Sequence, residues 1–224
     1  MRITENIAAA MRDGVSLRGD LYLPDLDERR PVVAIRTPYG KGGYRGGTLT
    51  RKAVERGFAV FVQDVRGRYA SDGEFDPYRQ EGRDGYDTVE WLAAQAWSNG
   101  RVGTAGLSYP GAVQWLLAVE APPHLVCMFP AMCFSSGRQF FYFNGAWDMS
   151  WIPWTANNIA PDIRRKRNLP GPKTGAEARE GWRRDGPAAL RHVPLDTLPM
   201  LKGVTDFYFE WLDHPDDGSF WDFA

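Results

Sequence analysis

The chain has 224 residues, 43% hydrophobic and 25% charged, enough to bury a core without disulfides or metals. Its 27 basic residues stand against 28 acidic ones, and a net charge of -1 leaves no surplus to neutralise phosphates or an anionic membrane. No stretch approaches the roughly 20 apolar residues that span a bilayer, and Met1 to Ala10 lacks the apolar run of a secretory signal. These features predict a cytoplasmic protein with no nucleic-acid or membrane partner. Cys127 and Cys133 are too few for a disulfide framework and lack a nearby His pair. They read as two reduced, buried thiols, with no metal and no cofactor.

Between Met11 and Pro24, partial alternation of Leu17, Leu21 and Leu23 around Asp13-Gly14 predicts an antiparallel hairpin at a sheet edge. The apolar run 31–36 is too short for a helix and rich in Val and Ile, so it reads as a buried strand. A helix over 48–57 stops at Gly57, and Phe58 to Val62 forms the next buried strand. Val89, Leu92, Ala93 and Ala96 recur at helical spacing over 84–96, with Asp84 and Asp87 near the positive helix N-terminus. A strand at 102–105, a tight turn, a helix at 112–118 and a strand at 125–129 follow. Short apolar strands alternating with helices predict a mostly parallel α/β sheet covered on both faces.

After Phe134 the texture changes. Residues 139–154 carry Phe140, Phe141, Tyr142, Phe143, Trp147, Trp151 and Trp154, and residues 161–191 are rich in Arg, Gly and Pro. The expected organisation is a sheet domain over 1–138 and a mostly helical cap over 139–224.

The segment from Arg101 to Ala112 carries the chemistry. A strand enters, Ser108 sits in a sharp turn flanked by Gly106 and Gly111, and a helix leaves. A nucleophilic serine needs such a strained turn, which lifts its hydroxyl clear of the sheet, and the small residues let strand and helix approach. The helix start also offers N–H groups to a developing oxyanion. The strict G-x-S-x-G pattern is not met, because Pro110 takes the last position.

Five segments in order resemble the cocaine esterase and X-prolyl dipeptidyl aminopeptidase family of serine hydrolases, which includes α-amino-acid ester hydrolases and cephalosporin acylases. They are DGVSLRGDLYLP (13–24), RTPYGK (36–41), QDVRGRYASDGEF (63–75), EGRDGYDTVEWLAAQAWSNGRVGTAGLSYPG (81–111) and APPHL (121–125). The family's turn is G-x-S-Y-x-G, which Gly106, Ser108, Tyr109 and Gly111 satisfy. The resemblance covers the N-terminal portion of such enzymes and implies an α/β-hydrolase-type sheet with a mostly helical cap. It implies Ser108 as the acylated nucleophile, with an oxyanion hole made by the Tyr109 N–H and the Tyr39 phenol. It also implies that Asp64, Arg66 and Arg68 fix the loop beside the site, and that Trp147, Trp151 and Trp154 line the acyl pocket. Asp72, Glu74 and Asp76 read as a solvated acidic turn.

A serine needs a histidine base oriented by a carboxylate, in the chain order Ser, acid, His. His124 follows the turn helix too closely to leave room for the acid, while His192 and His214 fall in cap-like sequence. The family keeps its acid and histidine further on, so the expectation is an incomplete chain lacking the triad Asp and His. Its partners would be a small-molecule ester or amide, and a complementing C-terminal chain or a homo-oligomer. A half-sheet also predicts an exposed strand edge. The alternative is a catalytically inactive fragment, a relic of the fold that binds a ligand or partner. A nucleotide site at Gly40-Lys41-Gly42-Gly43 fails, since no Gly stands at Ile35 and no Ser or Thr follows Lys41.

Overall fold

The computed structural model describes residues 1–25, 28–134 and 136–223. These fall into two compact units, 1–134 and Ser136–Phe223. In the first unit six strands lie in the order β1-β2-β4-β3-β5-β6. They are β1 (Arg2–Ala10), β2 (Ser16–Leu23), β3 (Arg30–Thr37), β4 (Ala59–Asp64), β5 (Ser98–Leu107) and β6 (Leu125–Ala131). The β1–β2 and β2–β4 pairs are antiparallel, and the other three pairs are parallel.

Period-two alternation decides which helix each strand residue meets. Val32, Ala34, Ala59 and Phe61 pack with Val89, Leu92 and Leu117 from α2 (Glu81–Ala93) and α3 (Tyr109–Val119). Their neighbours Ile35, Val60 and Val62 pack with Val54 of α1 (Thr48–Glu55). Every residue of β4 is buried, as expected for a strand covered on both faces.

Three expectations shift. The edge hairpin starts earlier, with Arg2–Ala10 as its first strand and the turn at Asp13-Gly14 closed by Gly14 N–H donating to the Met11 carbonyl at 2.9 Å. Nearly all of β1 is exposed, so it carries no apolar pattern to read. The helix placed at 84–96 begins at Glu81 and ends at Ala93. The two cysteines are free thiols, but Cys127 is exposed and Cys133 half-buried rather than both buried. Cys127 lies on β6, an edge strand with a strand neighbour on one flank only among the described residues.

The second unit joins α4 (Gly137–Phe141), a small hairpin of β7 (Tyr142–Phe143) and β8 (Ala146–Trp147), then α5 (Trp151–Trp154), α6 (Ala160–Lys166), α7 (Gly175–Ala189) and α8 (Asp206–Asp213). Between α5 and α6, Thr155–Ile159 forms a π-turn, in which the Ala160 N–H donates to the Thr155 carbonyl. Pro161 follows, with no N–H to give the Asn157 carbonyl, so the ordinary ladder is broken there. Thr174 caps α7 by accepting the Glu177 N–H, while Glu177 accepts the Lys173 N–H at 2.8 Å. Fully buried Phe141 is the hub of the core, its ring 4.2 Å from Trp211, 4.6 Å from Trp151 and 5.2 Å from Trp221. Among the described residues no helix is long and apolar enough to cross a membrane.

The uncovered side of β6 has a measurable consequence. Phe129 is 73% exposed and Val126 49% exposed. Phe129→Glu should leave the thermal midpoint within about 2 °C, since the ring is mostly in water, and should reduce light scattering on concentration. Unchanged scattering would locate any self-association elsewhere.

Candidate active site

The parallel register brings the C-terminal ends of β3, β4 and β5 to one edge of the sheet, with Thr37 paired to Asp64. At the end of β5, Ser108 turns the chain into α3 with φ 65° and ψ -125°, a left-handed conformation that strains a residue with a side chain. The turn is held on both sides. The Ser108 N–H donates to the Ala131 carbonyl at 2.9 Å, and the Ser108 carbonyl accepts the N–H groups of Gly111 and Ala112 at 2.8 and 2.9 Å. A Cβ at Gly106 would lie 2.4 Å from the Pro110 Cβ, and one at Gly111 would lie 2.7 Å from the Ala131 oxygen. Both positions therefore require glycine for close approach. Tyr109 is the first residue of α3, so its N–H lies outside the helix's own ladder and points from the positive end.

The loop after β3 is equally fixed. The Tyr39 N–H donates to Thr37 Oγ1 at 3.1 Å, and the Lys41 N–H donates to Asp64 Oδ1 at 2.7 Å. Fully buried Arg68 donates from Nε to the Pro38 carbonyl at 2.9 Å. Half-buried Tyr39 then meets Tyr109 edge to face, with ring centroids 6.4 Å apart. Ser108, Tyr109 and Tyr39 thus lie in one corner of the sheet unit. Asp64 and Arg68 brace that loop directly. Arg66 instead makes ion pairs with Asp84 at 2.6 Å and Asp13 at 2.8 Å. Asp72 and Glu74 are exposed and Asp76 half-buried, 3.8 Å from Arg79.

Beneath the turn lies a charge cluster that reading the sequence missed. Glu81 and Asp84 open α2, and both are buried. Glu81 forms an ion pair with Arg36 at 2.8 Å and accepts the Tyr109 phenol at 2.8 Å. Asp84 accepts two hydrogen bonds from Arg66, at 2.6 and 2.9 Å. Burial pushes the Glu81 carboxyl up, against the pull of Arg36, and burial beside Glu81 pushes the Tyr109 phenol well up. Tyr78 stacks on Tyr109 at 4.4 Å. Two acids one turn apart after Arg36 and Arg66 were the available signal, although helix-dipole pairing accounts for such acids equally well.

The three tryptophans lie in the second unit. Trp151 is buried in the core against Phe140, Phe141 and Trp211. Trp154 is half-buried, 5.1 Å from Trp151, and half-buried Trp147 meets Tyr142 and Tyr208 edge to face. His214 Nδ1 lies 2.7 Å from the Glu210 carbonyl, its ring stacked on Phe220 at 3.8 Å, and His192 Nε2 lies 2.9 Å from Thr197 Oγ1. His124 pairs with Glu90 at 2.7 Å, and its carbonyl accepts the Val102 N–H near the start of β5. Six residues of strand, roughly 20 Å, separate that point from Ser108. Among the described residues no group of three His, Cys, Asp or Glu could hold a metal.

A family model for X-Pro dipeptidyl-peptidases (S15 family) matches residues 13–223. The cocaine esterase of Rhodococcus sp. (strain MB1 Bresler) is 32% identical over 229 residues, covering 98% of this chain and 40% of the esterase. A CocE/NonD family hydrolase from Staphylococcus aureus superposes with TM-score 0.69 at 25% identity, over 98% of this chain and 37% of its own. An α-amino-acid ester hydrolase superposes with TM-score 0.70 at 23% identity, over 99% of this chain and 39% of its own, a likeness of fold. The fold is that of the α/β hydrolases, and the chain spans about two fifths of the length of these relatives.

Asp64 supplies a pH signature for the loop. Burial raises its carboxyl from 3.8 to about 6, countered in part by the Lys41 and Ala70 N–H groups and by the Lys41 charge. The folded state therefore holds the proton more tightly than the unfolded chain. This stabilisation is full below pH 3.8 and is lost as pH rises through about 6, amounting to about 3 kcal/mol. In denaturant titrations from pH 4 to 7, Asp64→Asn should lack that component of the decline. Parallel pH curves for the two proteins would refute the assignment.

Proposed function

The chain belongs to the X-Pro dipeptidyl-peptidase (S15) family, and from that membership we propose that it is the nucleophile-bearing part of a serine hydrolase. Ser108 Oγ attacks the carbonyl carbon of an ester or amide, and a base takes its proton. The tetrahedral intermediate collapses as the base gives that proton to the leaving alkoxide or amine, and water then attacks the acyl-enzyme, releasing the acid and returning a proton to Ser108 Oγ. The observation that carries this reading is the strained conformation of Ser108, φ 65° and ψ -125°, between a strand and a helix N-terminus. In this reading the turn serves as a nucleophile elbow. The Tyr109 N–H and the Tyr39 phenol form the oxyanion hole in this reading, supported by their shared corner. Trp147, Trp151 and Trp154 are the candidate acyl-binding side chains, and the deep burial of Trp151 favours a supporting role for that ring.

His124 is not the base, because its carbonyl meets Val102, six residues of strand from Ser108. The base is His192, His214 or a histidine outside this sequence, with its carboxylate. The last option is supported by the chain's spanning 40% of the Rhodococcus esterase. A complementing chain would then complete the site, whereas a second copy could supply only its own His192 or His214. A cytoplasmic location is supported by the two free thiols, which a reducing compartment maintains.

Intact mass after incubation with a fluorophosphonate tests the reading. One adduct is expected, lost in Ser108→Ala, with Tyr39→Phe slowing its formation roughly 10²–10³-fold. A folded sample that takes up no probe would overturn catalysis by this chain alone and exclude His192 and His214 as the base. An adduct that survives Ser108→Ala would overturn the nucleophile assignment.

A further inference from the structure

Tyr109 follows the strained Ser108, yet its side chain runs away from the turn into the buried charge cluster. Its phenol donates to Glu81 Oε1 at 2.8 Å and accepts the Tyr78 N–H at 3.2 Å. Tyr78 is itself strained, with φ 73° at a bulky, buried residue. Such conformations persist only where the surroundings over-determine them, and they cluster at functional sites. The other Glu81 oxygen faces Arg36 Nη2 at 2.8 Å, and Arg36 also donates to the Glu81 carbonyl at 2.8 Å and to Gln63 at 3.1 Å. Arg36 lies on β3, three residues before Tyr39. One carboxylate therefore holds both the strand that delivers Tyr39 and the residue whose N–H would be the second oxyanion donor.

We propose that Glu81 is a positioning residue for acyl transfer, fixing the two oxyanion donors relative to each other through Arg36 and the Tyr109 phenol. This rests on the reading of Ser108 as the nucleophile. A buried ion pair adds little stability over apolar packing of similar volume, so stability alone does not account for burying Glu81 here. It does impose geometry, and a donor misplaced by an ångström loses much of its effect on a developing oxyanion. Tyr78 belongs to the same device. Its N–H occupies one lone pair of the phenol oxygen, and its ring covers the Tyr109 ring.

The test uses Glu81→Gln, Tyr109→Phe and the double variant. Glu81→Gln keeps an acceptor for the phenol and removes the charge facing Arg36; Tyr109→Phe removes the link and keeps the ring. Hydrogen exchange and phosphonylation by the fluorophosphonate are measured on each, with the full chain. Each single variant should speed amide exchange at 107–109 by about tenfold or more while β4 amides stay protected. Each should lower the maximal phosphonylation rate on the order of 10–100-fold, with the probe concentration for half-maximal rate within about twofold. The double variant should be no worse than the worse single one, because each breaks a link of the same chain from Arg36 through Glu81 to Tyr109. Unchanged exchange at 107–109, or single effects that multiply as independent ones, would overturn the proposal. If the wild-type chain takes up no probe, the catalytic reading falls, and exchange alone decides whether Glu81 holds the turn.

Discussion

Two buried acid–base pairs at the start of α2 constrain the candidate site. Arg36, Arg66, Glu81 and Asp84 are all buried, and in such surroundings each charge must find its partner or cost several kcal/mol. Arg36 is the penultimate residue of β3, Arg66 follows β4, and Glu81 and Asp84 open α2. Satisfying all four charges fixes where two strand ends stop relative to one helix. Tyr109 brings α3 into the same arrangement through its phenol. The loop that carries Tyr39 and the turn that carries Ser108 are thus set by electrostatics, on a sheet assembled by apolar burial.

That division of labour follows from what each force can do. Apolar burial is non-directional and tolerates small slips of packing. It selects the faces of β3 and β4 and brings their ends into line. It cannot hold Ser108 in a left-handed conformation. For that the structure uses directional bonds to the Ser108 carbonyl and N–H, glycines at 106 and 111, and an anchored neighbour at 109. The same logic applies at the loop after β3, where the Asp64 carboxylate accepts the Lys41 N–H and Arg68 Nε donates to the Pro38 carbonyl.

Legibility in the sequence tracks the same distinction. Strands β3 and β4 were readable because two-sided burial writes a continuous Val- and Ile-rich run. The turn at Ser108 was readable because close approach demands glycines at fixed spacing. Tyr39 came from resemblance, since nothing in a lone tyrosine after a strand marks its direction. Strand β1 was not readable, because its exposed residues carry no burial pattern. Glu81 escaped because its partners lie 45 and 28 residues away in the chain. Two acids at a helix start have a local explanation in the helix dipole, and only the folded register shows that Arg36 and Tyr109 converge on Glu81. Cys127 was misplaced for a related reason: an apolar run reads as buried whether its strand lies inside a sheet or at its edge.

The two edges of the sheet are built differently. At β1 the ladder is interrupted between Thr4 and Ile7, with Asn6 at φ 60° and its N–H given to Asp20 at 2.8 Å. A bulge of that kind, with polar residues around it, blunts an edge against further pairing. At β6 there is an irregularity only where Leu125 meets β5, and Val126 and Phe129 stand exposed beyond it. Charge and backbone geometry thus protect one edge while the other keeps the composition of an interior strand. Natural sheets leave long apolar edges bare at the cost of aggregation, and exposed Val126 and Phe129 make β6 an edge of that kind. The Ser108 N–H donates to the Ala131 carbonyl at the end of this same strand, so whatever steadies β6 also steadies the turn.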